Sequence, residues 1–169
     1  MKQHFAMMAA YNAWCNERIY TAAAQLSEAD YHADRGAFFK SVSGTLNHLL
    51  AADRIWLKRF TAEGEAPDRL DAILFESFAD LLAARRTEDR RIIAYVESLS
   101  ETDFASPIRY RSLTNPTEIE QPLGPVLAHF FNHQTHHRGQ VHGLLTGLGL
   151  DAPVLDLVAF QRASGMGMT

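Results

Sequence analysis

Apolar residues return every three or four positions along four long stretches of this chain, the period of helices that bury one face. The first stretch runs from about Gln3 to Leu26, with Phe5, Met8, Asn12, Cys15, Ile19, Ala22 and Leu26 on the repeat, and breaks at LSEADYHADRG, where Ser, Asp and Gly accumulate. The second runs from about Val42 to Thr61 and ends at the EGEAP turn. The third, about Phe75 to Leu99, passes through Phe78, Leu82, Ile92 and Val96 and stops at SLSETDF. The fourth starts near Leu123, after QPLGP, and continues to Leu148, where Gly149 ends it.

Between the third and fourth stretches the period changes. SPIRYRSLTNPTEIEQP alternates around Ile108 and Tyr110, turns at Asn115-Pro116 and returns through Glu118 to Gln121, the pattern of a small β-hairpin. After the fourth, LDAP makes a turn, VLDLVAFQRA forms a short closing helix, and SGMGMT has the composition of a disordered tail. The expected architecture is all-α: one domain over 1–169, a four-helix bundle with the hairpin before its last long helix.

A short internal echo bears on the arrangement. The first helix ends in LSEADY and the third in LSETDF, and the helix after each carries an Asn-His pair, Asn47-His48 and Asn132-His133. Two helix pairs related by an approximate twofold would bring His48 and His133 together across the axis.

Length and composition narrow the classes. A chain of 169 residues with 47% hydrophobic content is long enough for one buried core. The net charge is -4, and the one tight basic group, Arg85, Arg86, Arg90 and Arg91, is interleaved with Glu88 and Asp89. That group reads as a solvated helix face, so nucleic acid is not an expected partner. Cys15 is the only cysteine, which excludes an internal disulfide and cysteine-based zinc or iron–sulfur sites. No window approaches the ~20 apolar residues of a membrane span, and the first residues lack a charged segment followed by a long apolar run. A cytoplasmic protein with no membrane partner is the expectation.

The chemistry concentrates in FNHQTHHRGQ, from Phe131 to Gln140. Val126, Phe130, His133, His137, Val141, Leu144 and Leu148 follow the spacing of a buried seam, which puts two imidazoles where core residues belong. His136 falls on another stripe with His129, Asn132 and Gly143, and reads as a surface group. Two unpartnered imidazoles in a seam would cost several kcal/mol of desolvation, on the order of 2–7 for a polar group with no hydrogen bond. Histidines bonded to carbonyls or carboxylates are one answer. A metal ion is the favoured one, because residues four apart lie about 6 Å apart on one face. His129 and His137 are two turns apart, about 12 Å, and cannot share one ion.

A third ligand has to come from another element, and Cys15, His4, His32, His48 and the acids compete for the place. His48 is the best candidate: it lies mid-helix among leucines, and Thr45, His48, Ala52 and Trp56 continue one face. His4 is near the terminus, His32 is in a turn, and Cys15 packs as a small apolar group. Three imidazoles would leave one to three positions for water or substrate. There is no Glu-x-x-His, no His-Glu-x-x-His, no Cys-x-x-Cys-His and no Gly-x-Ser-x-Gly. Gly139, Gly143 and Gly147 form a stripe read as permitting close helix packing.

NHQTHHRGQ on the last long helix, TLNHLLAADRIW on the second and YNAWCNERI on the first resemble the DinB-like family, over nearly the whole chain. The resemblance implies a four-helix bundle with a crossover connection, often a homodimer, holding a divalent metal on three histidines. Carried over by position, these are His48, His133 and His137, and the ion is zinc or nickel. Cys15 stands where similar sequences often show a smaller residue, which leaves the ligand set untouched. The family includes transferases that attach low-molecular-weight thiols to electrophiles and a thiol-dependent isomerase. The expected function is therefore a metal-dependent enzyme that activates a thiol for S-transfer, or water for hydrolysis, with Asn47, Trp56 and Arg138 lining the pocket. The rival is a non-enzymatic stress-response bundle in which a metal closed by a fourth ligand only staples the helices. A metal-free bundle dimerising through the glycine stripe is the third reading.

Overall fold

The computed structural model describes residues 1–113 and 117–168. Its four long helices are α1 (Lys2–Ala23), α3 (Val42–Thr61), α4 (Phe78–Ser98) and α5 (Leu123–Gly147), with short helices α2 (Glu28–His32) and α6 (Leu157–Ser164). The sequence LSEADYH, expected as a turn, folds as α2 because the Ser27 hydroxyl accepts from the Asp30 amide and starts a helix. α4 begins three residues later than the apolar pattern suggests. Ser77 is its N-cap, while the amides of Leu74 and Phe75 are held outside the helix by the Asn47 side chain. Strands β1 (Pro107–Arg111) and β2 (Glu118–Pro122) pair antiparallel, with Tyr110 opposite Ile119. The predicted turn at Asn115-Pro116 lies outside the described residues. The tail is less free than its composition suggests, since Met166 packs against Met7, Tyr11, Cys15 and Phe160.

α1 and α3 each pack against both α4 and α5, so α1 and α3 occupy one diagonal of the bundle and α4 and α5 the other. Helices consecutive among the long four are then not always neighbours, and the links cross the bundle ends. Among the described residues no helix is long and apolar enough to cross a membrane.

The core has two apolar halves. One gathers Phe5, Leu57, Ile92, Val126, Phe130 and Phe131; the other gathers Ile19, Leu46, Leu50, Leu81, Val141 and Leu145. Between them every long helix contributes polar residues. Arg85 pairs with Asp53 at 2.6 Å and with Asp89 at 3.0 Å. Asp89 accepts from the Asn16 amide at 2.9 Å, and the carbonyl oxygens of Asn12 and Asn16 accept from Arg138. Gln134 donates to Asp53 and to the Leu49 carbonyl. Two cations and two anions thus meet in one layer with relaying amides.

This layer corrects two expectations. The 85–91 run is not a solvated face: Arg85, Glu88 and Asp89 are buried. A run of that length covers the whole circumference of a helix, so some of its charges must point inward. Arg138 is likewise interior. The buried side of α5 is centred on Leu127, Phe131, Gln134, Arg138 and Leu145, which leaves His133 and His137 at its edge. Among the described residues the glycine stripe packs against nothing, because a Cβ at Gly139, Gly143 or Gly147 would meet no atom within 4 Å.

Candidate metal centre

α3 supplies His48 and α5 supplies His133 and His137 one turn apart, and the crossing of these helices brings the three rings together. One nitrogen from each lies within 4.8 Å of the other two, the only such group of three possible metal ligands among the described residues. Ring centroids are 4.4 Å apart for His133 and His137, 4.5 Å for His48 and His137 and 5.1 Å for His48 and His133. His48 Nε2 and His133 Nε2 stand 3.3 Å apart.

The remaining nitrogens decide which lone pairs are free. Nδ1 of His48 donates to the Leu70 carbonyl at 2.7 Å, and Nδ1 of His137 donates to Gln140 Oε1 at 2.7 Å. A carbonyl oxygen only accepts, so both Nδ1 atoms carry the proton and both neutral rings keep a bare Nε2. Outer hydrogen bonds of this kind orient imidazoles for a metal.

All three rings are neutral at physiological pH. Burial pushes the pKa of His48 down to about 4, against the opposing pull of the Leu70 carbonyl. Burial and the neighbouring His137, His48, His129 and His136 take His133 down to about 3. His137 is lowered by burial, opposed by Gln140. The donor set is three neutral nitrogens with no acid among them, which suits a borderline divalent cation.

Two further features frame the rings. On one side Phe39 stacks on His48, centroids 3.7 Å apart and planes 15° from parallel, and meets His137 edge-on. Gly44 makes this possible, since a Cβ there would collide with the Phe39 carbonyl. On the other side a cavity of about 240 Å³ is lined by His133, His129, Trp56, Arg59, Leu70 and Leu113, among others.

The remaining candidates are placed elsewhere. His4 and His32 are exposed, His32 beside Glu28. Cys15 is fully buried among Met7, Tyr11 and Phe160, as a small apolar group would be. His136 is exposed and contacts Gln140, and His129 meets the Trp56 ring edge-on at the cavity. Trp56 does line the cavity. Asn47 and Arg138 do not: Asn47 ties α3 to the backbone of Leu74 and Phe75, and Arg138 belongs to the polar layer. Sequence reasoning missed Phe39, Arg59, Leu70 and Gln140. Gln140 was within reach, three residues after His137 on the same helix; the Leu70 carbonyl carries no side-chain signal at all.

A family model described as the DinB family matches residues 1–168. The chain is 26% identical over 148 residues to Protein DinB of Bacillus subtilis (strain 168), an alignment covering 82% of this chain and 83% of that protein. Its fold is similar to the crystal structure of a DinB-like protein from Bacillus cereus ATCC 10987, with a TM-score of 0.64, 17% identity and coverage of 83% of this chain and 90% of that one.

Proposed function

The chain belongs to the DinB family, and on that footing we propose that His48, His133 and His137 hold one divalent cation, zinc or nickel, at an open and catalytic site. The observation that carries this reading is the convergence of three neutral imidazole nitrogens within 4.8 Å of one another. Desolvation of three such groups is compensated when their lone pairs meet a cation. When bound, such a cation favours ionisation of a coordinated thiol or water near neutral pH.

The protein's own residues do the rest. Leu70 and Gln140 fix the tautomers of His48 and His137 through their Nδ1 protons. Phe39 shields one side from water, and the cavity at His133 admits a small molecule on the other. A cation that merely stapled α3 to α5 would be closed by a fourth side chain, and among the described residues the group has three members. This favours an enzyme using a low-molecular-weight thiol and an electrophile, or water, over a structural metal site.

Metal content per chain, measured by plasma mass spectrometry on protein made without a histidine tag, tests the reading. About one zinc or nickel per chain in the wild type and none in His137→Ala is the expected result. Metal-free wild type after dialysis against both ions would overturn it.

A further inference from the structure

Five arginines are not solvent-exposed: Arg54, Arg59, Arg85, Arg91 and Arg138. Four of them have their charge answered. Arg54 and Arg91 face Glu88, Arg85 faces Asp53 and Asp89, and Arg138 reaches Asp89 through the Asn12 and Asn16 amides. Arg59 stands apart: among the described residues no carboxylate lies within ion-pair distance of it, and it lacks the amide link to one that Arg138 has.

The surroundings of Arg59 hold it in place all the same. Its guanidinium lies over the Trp56 ring at 4.5 Å and the Tyr110 ring at 4.9 Å, and Nη2 donates to the Arg111 carbonyl at 2.9 Å. Burial lowers its pKa. It lines the same cavity of about 240 Å³ as His133, and the wall between them is largely apolar: Ala52, Ile55, Leu70 and Leu113. At about 30 Å³ per water that is room for roughly eight waters, the size of a small organic molecule and not of a polymer.

We propose that Arg59 is the anchor for the carboxylate of a small organic acid whose other end reaches the histidines. A planar guanidinium, pre-oriented by two rings and with donors to spare, matches a carboxylate in geometry as well as charge. The larger cleft of about 470 Å³ on the far side of α5 is not equivalent. Its arginine, Arg138, already donates to the Asn12 and Asn16 side chains, and Asp156 stands in its wall. The proposal rests on the reading of the three histidines as a cation site, and the test separates the two.

The protein is loaded with cobalt(II) and titrated with 3-mercaptopropionate and, separately, with 2-mercaptoethanol, following the cobalt absorption spectrum. The wild type is expected to bind the acid at least about tenfold more tightly than the neutral thiol, about 1.4 kcal/mol. That preference would run against the net charge of -4. Arg59→Gln should keep one cobalt per chain and the same affinity for 2-mercaptoethanol while losing the preference, and Arg59→Lys should restore part of it. Equal affinities in the wild type, or a preference that survives in Arg59→Gln, would overturn the assignment of Arg59. If cobalt does not bind, the metal reading fails by itself. The same pair of probes is then compared on metal-free wild type and Arg59→Gln through tryptophan fluorescence, where a preference confined to the wild type supports the anchor and its absence rejects it.

Discussion

Two groups of polar side chains sit inside this bundle, and they are built on opposite plans. The layer of Arg85, Asp53, Asp89 and Arg138 contains its own counter-charges, and the Asn12, Asn16 and Gln134 amides carry hydrogen bonds between them. Among the described residues the histidine group has no acid in it; it has three neutral rings with one nitrogen of each converging and an aromatic lid on one side. A cluster that pairs its own charges holds helices together. A cluster of neutral nitrogens turned toward one another has the donor set that a divalent cation takes.

The largest expected effect tests the first half of that contrast. Arg85→Met leaves Asp53 and Asp89 buried without their cation, and removing one partner of a buried pair costs about 3–5 kcal/mol. Urea denaturation should show this as a large fall in the midpoint or as loss of a cooperative transition. In the metal-free protein His137→Leu, by contrast, replaces a desolvated imidazole by an apolar side chain of similar size. It should be neutral or stabilising, as functional groups held for a ligand often are. Equal losses for the two variants would erase the distinction.

Next in size is the effect of the missing partner. Zinc at about a hundredfold its dissociation constant should stabilise the wild type by about 2.7 kcal/mol. Thermal unfolding with and without zinc reads this directly. His48→Ala, His133→Ala and His137→Ala should each unfold at the same temperature under both conditions. A shift that persists in them would place the ion elsewhere.

The two plans also differ in how far they could be read from sequence. The four long helices were legible because apolar periodicity is a local signal, and α3 runs over Val42–Thr61 as expected. The three histidines were legible because His133 and His137 share a face and His48 is an odd residue among leucines. The polar layer was not, although Arg85, Asp89, Asn12, Asn16, Gln134 and Arg138 are all in plain view. Charged residues are rarely buried, so the 85–91 run reads locally as a solvated face, and only the long-range pairing shows why the interior accepts Arg85, Asp89 and Arg138. The seam on α5 was misplaced for the same reason, because Gln134 and Arg138 did not count as core. Phe39 and Leu70 lie outside the long helices, and their contacts with His48 depend on chain geometry that no local pattern records.

A smaller effect probes how the open cluster is tuned. Gln140→Ala removes the acceptor that keeps the proton on His137 Nδ1. Loss of such an outer hydrogen bond typically weakens metal binding by about 10–100-fold. Competition with a zinc chelator of known affinity measures it, and helical content should be unchanged. If affinity does not move, the His137 tautomer is set by something other than Gln140.

The smallest effect is the one on pH, and its smallness is the point. Ordinary histidines, with pKa about 6.5, would each be largely protonated at pH 6, and three of them would weaken a cation roughly 50-fold between pH 7.5 and 6. Burial holds His48 at about 4 and His133 at about 3, and it lowers His137 as well. Protons on His48 and His133 therefore compete only as pH falls toward those values, and zinc affinity should fall far less than about 50-fold over the same interval. The same depression has the opposite consequence for the metal-free fold. Below pH about 6.5 the unfolded chain takes up protons that the folded site refuses, so stability is present above that pH and drains away beneath it. Zinc affinity and metal-free stability, each followed from pH 7.5 to 5, should thus part company, the first falling far less than ordinary histidines would make it while the second declines. A steep fall in affinity with the stability unchanged would mean that the rings are solvated and ordinary, and that the contrast between the two clusters is one of position only.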